Sequence, residues 1–357
     1  MMNKSVILTG LDINSSKVSA IALEISGAGA STILAHESQP SRGVCRGSFG
    51  DIAEASNSVA KVLKRICEKT GRPADNIYAN ISGDSLKGER SKGMIPLSSR
   101  GREVASSDIA KCINAASTIR LVFDREIVHR IVLNFSIDDQ PSIKNALGLY
   151  ASRLYCEMYM ITANLNHIQN IHKCVNDAGY DVKEVIYSGM ADGMSLLEDA
   201  SKEAGVMLLD MGSSLTELSI FSGGALALLE IIPTGANDIK GVIKDDVAFN
   251  SMTLRVKSIV EEFLKKGLNL KSAVITGDLA FSEGVAETLE ERLGLPVRMG
   301  TVKNVHGNIS SIESLRAATA IGLARYAGLQ YQPKAVQAKR LVNSISNKVM
   351  EIFNNYF

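Results

Sequence analysis

Apolar and polar positions follow two rhythms along this chain, and one short phrase occurs twice. Val206 to Leu209 is a fully apolar run that ends in Asp210, passes a Gly/Ser turn and resumes as alternating residues from Leu215 to Phe221. An apolar run of this length beside Gly205 predicts a central strand buried on both faces, and the alternation predicts its hairpin partner. Near the N-terminus, Ser5 to Leu8 leads through Thr9 and Gly10 to Asp12, then to Asn14, Ser15, Ser16 and Lys17, and alternates from Val18 to Ile25. Two hairpins are therefore predicted, each with an acid at its tip followed by small hydroxyl residues.

The remaining pattern alternates strand and helix periods. An extended segment at Ile33 to Ser38 and a Gly/Pro-punctuated turn, PSRGVCRG, precede a helix over Asp51 to Thr70, stopped by Gly71-Arg72-Pro73. A strand follows at Ile77 to Ile81. Between Ser82 and Thr162 the pattern changes: Lys87 to Pro96 is polar and Gly-rich, Ser107 to Ser117 is a helix with a Ser106 or Ser107 cap, and Arg130 to Ile137 and Leu154 to Ile161 alternate as strands. An inserted α+β unit is the simplest account. Beyond it lie a helix over Leu165 to Ala178, a strand over Val182 to Tyr187 and a small-residue-rich helix over Met190 to Ala200. After the second hairpin come strand Ala225 to Ile232, closed by Pro233-Thr234-Gly235, helix Met252 to Lys265, strand Ala273 to Thr276 ending in Gly277, and helix Glu313 to Tyr326.

The two tips suggest chemistry only because they are paired. Facing each other, they would offer backbone N–H groups and the hydroxyls of Ser15, Ser16, Ser213, Ser214 and Thr216 to phosphate oxygens, with Gly212 letting the backbone approach. Asp12 and Asp210 would hold a Mg²⁺ through its waters, each from a strand tip outside the core. His167 and His172 are five residues apart, share no helical face for a metal, and are expected on the polar side of their helix. His129 and the Asp138-Asp139 pair are read as surface or satisfied polar residues, and Lys244-Asp245-Asp246 as a charged surface turn.

The pair GLDINSSKVSA and LLDMGSSLTELSIF resembles the two phosphate motifs of the actin-like ATPase superfamily. Within it, PSRGV (Pro40 to Val44), DREIVHRIVLNFSIDDQPSIKNALGL (Asp124 to Leu149), QNIHKCV with the following GYDV, and LPVRMG (Leu295 to Gly300) are most similar to the FtsA family. The resemblance implies a duplicated actin-like α/β fold. Residues 1–82 and 163–204 would form one lobe, 83–162 an inserted contact subdomain of the SHS2 kind, and 205–329 a second lobe. It further implies ATP with Mg²⁺ at Gly10, Asp12, Asn14, Ser15, Ser16, Lys17, Asp210, Gly212, Ser213, Ser214, Thr216, Gly235 and Gly277. No catalytic residue is assigned, because no general base is identifiable. Partners implied are an FtsZ filament, other division proteins through the insert, and further copies of the chain in filaments.

Departures from the family bear on the ligand. Ala236 to Lys271 is too short for the subdomain whose Glu and Lys clamp the nucleoside. Gly277 is followed by Asp278 and Leu279 instead of glycines, Leu215 removes a hydroxyl, and Asn14 replaces a glycine. Nucleotide binding is therefore expected to be weak or lost.

Composition narrows the class. A 357-residue chain with 45% hydrophobic and 22% charged residues supports more than one globular unit, and a net charge of +1 argues against a nucleic-acid partner. Five scattered cysteines without CxxC spacing support neither a disulfide framework nor a zinc site and suit a reducing cytoplasm. No apolar run approaches the ~20 residues of a transmembrane helix, and no signal peptide is read.

The tail changes that picture. After a linker at 330–338, Leu341, Ile345, Val349, Ile352 and Tyr356 fall on one helical stripe, widened by Val342, Phe353 and Phe357 and flanked by Lys339, Arg340 and Lys348. The stripe predicts an amphipathic helix over 339–357. The resemblance implies that it targets the cytoplasmic face of the cell membrane at the division site, as a peripheral anchor. Two other readings stay open on the sequence: a PilM-like cytoplasmic component of type IV pilus assembly, and an active actin-like ATPase or kinase.

Overall fold

The computed structural model describes residues 5–26, 30–118, 123–138 and 140–331. The first hairpin is β1 (Val6–Ile13) and β2 (Lys17–Ile25), followed by β3 (Ser31–Pro40) and a small ribbon of β4 (Val44–Cys45) and β5 (Ser48–Phe49). Helix α1 (Ile52–Thr70) and β6 (Ile77–Ile81) complete the first stretch. The insert holds β7 (Lys87–Pro96), β8 (Arg102–Glu103), α2 (Ser106–Ser117), β9 (Arg125–Ile137), β10 (Gln140–Ile143), β11 (Tyr150–Ala151) and β12 (Arg153–Asn164). The chain returns to the first unit through α3 (Leu165–Asp177), β13 (Val182–Tyr187), α4 (Ser188–Leu196) and α5 (Asp199–Ala204). The second unit comprises β14 (Val206–Met211), β15 (Thr216–Ser222), β16 (Ala225–Ile232), α6 (Val247–Lys265), β17 (Ser272–Thr276), α7 (Val285–Leu293) and β18 (Val297–Met299). Helices α8 (Ser311–Arg316) and α9 (Ala318–Tyr331) close the described chain.

The two halves carry the same sheet. One has the order β13-β6-β1-β2-β3 and the other β18-β17-β14-β15-β16. In each, a three-strand antiparallel meander leads into two parallel strands, with β1 and β14 as the central, doubly buried members. This is the duplicated actin-like α/β architecture. Helix α1 shows how local sequence builds it: Asp51 accepts from the Glu54 N–H at 3.0 Å, Gly71 ends the helix at φ 64°, and Val59, Val62, Leu63 and Ile66 are buried. Burying each such side chain contributes roughly 1.5–3 kcal/mol.

Helix α9 belongs to the first lobe although it follows the second. It lies on β1 and α4 with no room for side chains at two crossings: a Cβ on Gly10 would stand 1.9 Å from the Ala320 carbonyl oxygen, and one on Gly322 would stand 1.8 Å from that of Ala191. The insert is a four-stranded antiparallel sheet, β10-β9-β12-β7, with α2 across it. It also shares a hydrophobic cluster with both lobes, in which Ile131, Tyr159 and Ile161 meet Tyr187, Leu208, Phe221 and Leu229. The Tyr159 hydroxyl accepts the Leu229 N–H at 2.8 Å, and Lys144 pairs with Glu203.

Several expectations are corrected. Lys87 to Pro96 is a full strand despite its polarity, because its glycines sit where neighbours press close: Gly93 under α2 and Gly88 under the Tyr159 ring. No serine caps α2; the Ala105 N–H donates to Asp108, which also holds Arg102 through two bonds of 2.6 and 2.8 Å. Helix α6 starts five residues before Met252, capped by Asp246, so the charged turn has a structural role. The Glu313 to Tyr326 segment is two helices broken at Ala317. His167 is buried, not on the polar side, with Nδ1 in a hydrogen bond to the Ser85 hydroxyl. His129 fits the satisfied-polar reading and not the surface one: it is buried, accepts the Tyr187 N–H at 3.0 Å and is pushed down to about 4 by desolvation. Helix α9 covers the first two residues of the predicted linker, while residues 332–357, with the amphipathic stripe, lie outside the described residues.

Candidate functional site

The tips of β1–β2 and β14–β15 face one another across the cleft between the lobes. Each is a tight turn closed by its own backbone: the Asn14 N–H donates to the Lys17 carbonyl at 3.0 Å and the Gly212 N–H to the Leu215 carbonyl at 2.9 Å. Asn80 on β6 steadies the first turn, accepting from the Ile13 N–H at 2.7 Å and donating to Asn14 and Ser188. The segment after β16 steadies the second: the Ala236 and Asn237 N–H groups donate to the carbonyls of Gly212 and Ser213 at 2.9 and 2.8 Å. The tips touch through Ser214 Oγ and Ser15 Oγ, 3.1 Å apart. Lys17 Nζ crosses the cleft to the Arg316 carbonyl at 2.7 Å, at the carbonyl end of α8, where the helix dipole favours a cation.

Carboxylates gather at the floor. Asp12 is 1% exposed; one oxygen accepts from Asn14 Nδ2 at 2.9 Å and the other has no partner among the described residues. Desolvation pushes it up to about 7, against the pull of Lys17 and with a further push from Asp210 and Asp278. Asp210, partly buried, is pushed up to about 6, again chiefly by desolvation. Asp12 is thus a core residue and not an exposed tip.

Sequence reasoning missed two more acids. Asp192 on α4 is fully buried, accepts from the Thr319 hydroxyl at 2.9 Å, and is raised well above the ordinary carboxylate range by desolvation and by Asp210. Glu217 on β15 accepts the Gly83 N–H at 3.3 Å and is pushed up to about 8 by desolvation, then by Asp210. No local pattern marked either acid: Asp192 sits on a helix that also carries Met190, Met194 and Leu196, and Glu217 meets Asp210 only through the register of β14 with β15.

Of the residues proposed from sequence, Asp12, Asn14, Ser15, Ser16, Lys17, Asp210, Gly212, Ser213, Ser214 and Gly277 line the cleft. Three do not. Gly10 lies behind the tip under α9, and Gly235 packs against the backbone of Ser213 and Ser214. The Thr216 hydroxyl is buried and donates to the Thr234 carbonyl at 2.8 Å. Gly277 has φ 87°, and a side chain there would strike Asp210, so glycine is required for the strand end to pass the acid. In the same cleft, the Arg316 guanidinium covers the Phe281 ring at 5.2 Å, and Asp278 also lines it.

Among the described residues no group of three or more His, Cys, Asp or Glu side chains is arranged to hold a metal ion directly. The donor set fits a cation kept in its water shell: Asp12 presents a buried oxygen without a partner, with Asp210 beside it.

Comparison with known proteins places this arrangement. Residues 83–162 match the family described as the SHS2 domain inserted in FTSA. The whole chain is similar to the cell division protein FtsA of Borreliella burgdorferi, 27% identical with 96% of this chain and 95% of that protein covered. The FtsA of Escherichia coli K12 is 30% identical over 68% of this chain and 56% of that one. The chain belongs to the FtsA family. Its fold is also that of a PilM–PilN type IV pilus biogenesis complex structure, with a TM-score of 0.66 at 15% identity, covering 89% of this chain and 98% of that one. At that identity the likeness speaks for the fold alone. In the second lobe, a single 3₁₀ turn, Ala236–Asp238, is the one element between β16 and α6 among the described residues.

Proposed function

We propose that this FtsA-family protein links an FtsZ filament to the inner face of the cytoplasmic membrane at the division site and recruits other division proteins through its insert. The observation that carries the reading is the FtsA-specific insert within a chain aligned to FtsA over nearly its whole length. The reading assigns the lipid contact to 339–357, on the apolar stripe of their sequence and its flanking Lys339, Arg340 and Lys348. A lone copy of such a stripe binds reversibly, and self-association into filaments multiplies its hold through avidity. In the cleft, Ser15, Ser16, Lys17, Ser213 and Ser214 would hold the phosphates of an ATP, with Asp12 and Asp210 on the side of its Mg²⁺. The ligand's part is structural, bracing the two tips.

Liposome flotation tests the anchor. Ile352 and Phe353 changed together to Glu put charge into the stripe. The parent floats with anionic vesicles, and the double variant and a truncation after Gln337 stay at the bottom. Each basic residue at the surface contributes ~1 kcal/mol, so high salt weakens the parent's binding without abolishing it. Equal flotation of all three proteins removes the tail from this role.

A further inference from the structure

We propose that the cleft recognises a phosphoanhydride chain carrying a divalent cation and is indifferent to the nucleoside attached to it. The inference rests on the reading of the cleft as a Mg-nucleotide site and specifies which part of the ligand is bound.

The hydrogen-bond donors of the cleft come from its two tips. Lys17, Ser15, Ser16, Ser213 and Ser214 line it, with Ser15 meeting Ser214 and Lys17 meeting a main-chain carbonyl through groups that a phosphate oxygen can replace. The cleft offers a base no free aromatic face, because Arg316 already covers the Phe281 ring, and the Asp278 carboxylate lines the same cleft. The chain that could extend over a nucleoside, between β16 and α6, instead folds back to brace the phosphate-side turn through Ala236 and Asn237. Size agrees. The cavity measures about 60 Å³, far below the roughly 300–1,000 Å³ of pockets that enclose a whole small molecule. A water occupies at least ~10–15 Å³ on such a measure, so the space matches a few waters or phosphate groups, not a base and a ribose.

Charge sets the second condition. Three carboxylates, Asp12, Asp210 and Asp278, line the same cleft as the phosphate donors, and Asp12 holds a buried oxygen without a partner among the described residues. A divalent cation between them and the phosphates satisfies both sets of oxygens.

Calorimetric titration of the full chain tests this with Mg-ATP, Mg-GTP and Mg-tripolyphosphate, each repeated with EDTA in place of Mg²⁺. The expected result is three dissociation constants within about threefold of one another, all lost with EDTA. The Ser15→Ala, Ser214→Ala double variant weakens all three by the same factor, about tenfold for two modest hydrogen bonds. An ATP preference of tenfold or more over both other ligands overturns the inference while leaving the nucleotide-site reading intact. Failure of all three to bind overturns both, as nucleoside-independent binding that persists in EDTA overturns the cation requirement.

Discussion

Glu217 illustrates how far a single side chain can be moved by its surroundings. Its carboxyl is 2% exposed, one oxygen lacks a partner among the described residues, and its pKa rises from 4.5 to about 8, first because burial strips water from the charge and then because Asp210 is close. A carboxyl raised in the folded state takes up protons on folding, so its contribution is complete below pH 4.5 and is lost as pH rises through about 8. Glu217→Gln keeps the shape and removes the titration. Urea unfolding should show the parent losing stability between pH 5 and 8 and the variant losing less, so the variant is the more stable protein at pH 8 and not at pH 5. An identical slope in both would mean that Glu217 ionises without cost. At this scale the sequence was legible for residues whose role is set by their immediate neighbours. Asp12, Lys17 and Ser214 could be placed at a cleft because each stands in a short turn motif. Asp192 and Glu217 could not, because what makes them unusual is burial by other segments, which no local pattern encodes. Gly10 and Thr216 were assigned to the ligand for standing in those motifs, yet their neighbours in space are Ala320 and Thr234.

Elements were read best where period and end signals agreed. Helix α1 has an amphipathic face, an Asp cap and a terminal Gly, and the boundaries it shows are the ones those features dictate. Strand β7 was missed because alternation is blurred by glycines that only α2 and Tyr159 explain. The break between α8 and α9 was not read either: the reciprocal pair of Ser310 and Glu313 fixes where α8 begins, and the helix ends at Ala317. The contact of β1 with α9 yields a sharp test. Gly10→Ala places a methyl against a carbonyl oxygen of the helix backbone, which cannot rotate away as a side chain would. Such overpacking should cost about 2–4 kcal/mol in urea unfolding. A loss below ~1 kcal/mol would show that α9 yields at this point.

Across the whole molecule, the insert touches both lobes, and this could not be foreseen from a segment whose own pattern predicts an independent α+β unit. Its Tyr159 hydroxyl serves a backbone N–H on the edge strand of the second lobe, its Arg90 reaches the Ala227 carbonyl at 3.5 Å, and its apolar residues enter the shared cluster. Tyr159→Phe should leave the Leu229 N–H buried without an acceptor, a loss of about 1–3 kcal/mol. Hydrogen exchange at Leu229 should then quicken by at least tenfold while β1 amides keep their protection; unchanged exchange would mean that the insert does not hold the second lobe in place.

The passage of α9 back to the first lobe sets a schedule for synthesis. Gly10 is synthesised about 300 residues before its partner Ala320, an interval of roughly 15–60 s at bacterial elongation rates of ~5–20 residues per second. Throughout that interval the apolar face of β1 and β2 that α9 will cover, including Leu8, Ile21 and Leu23, has no native cover. The nascent first lobe is therefore a natural client for a chaperone that shields exposed strands, and it is released from that need only when α9 arrives.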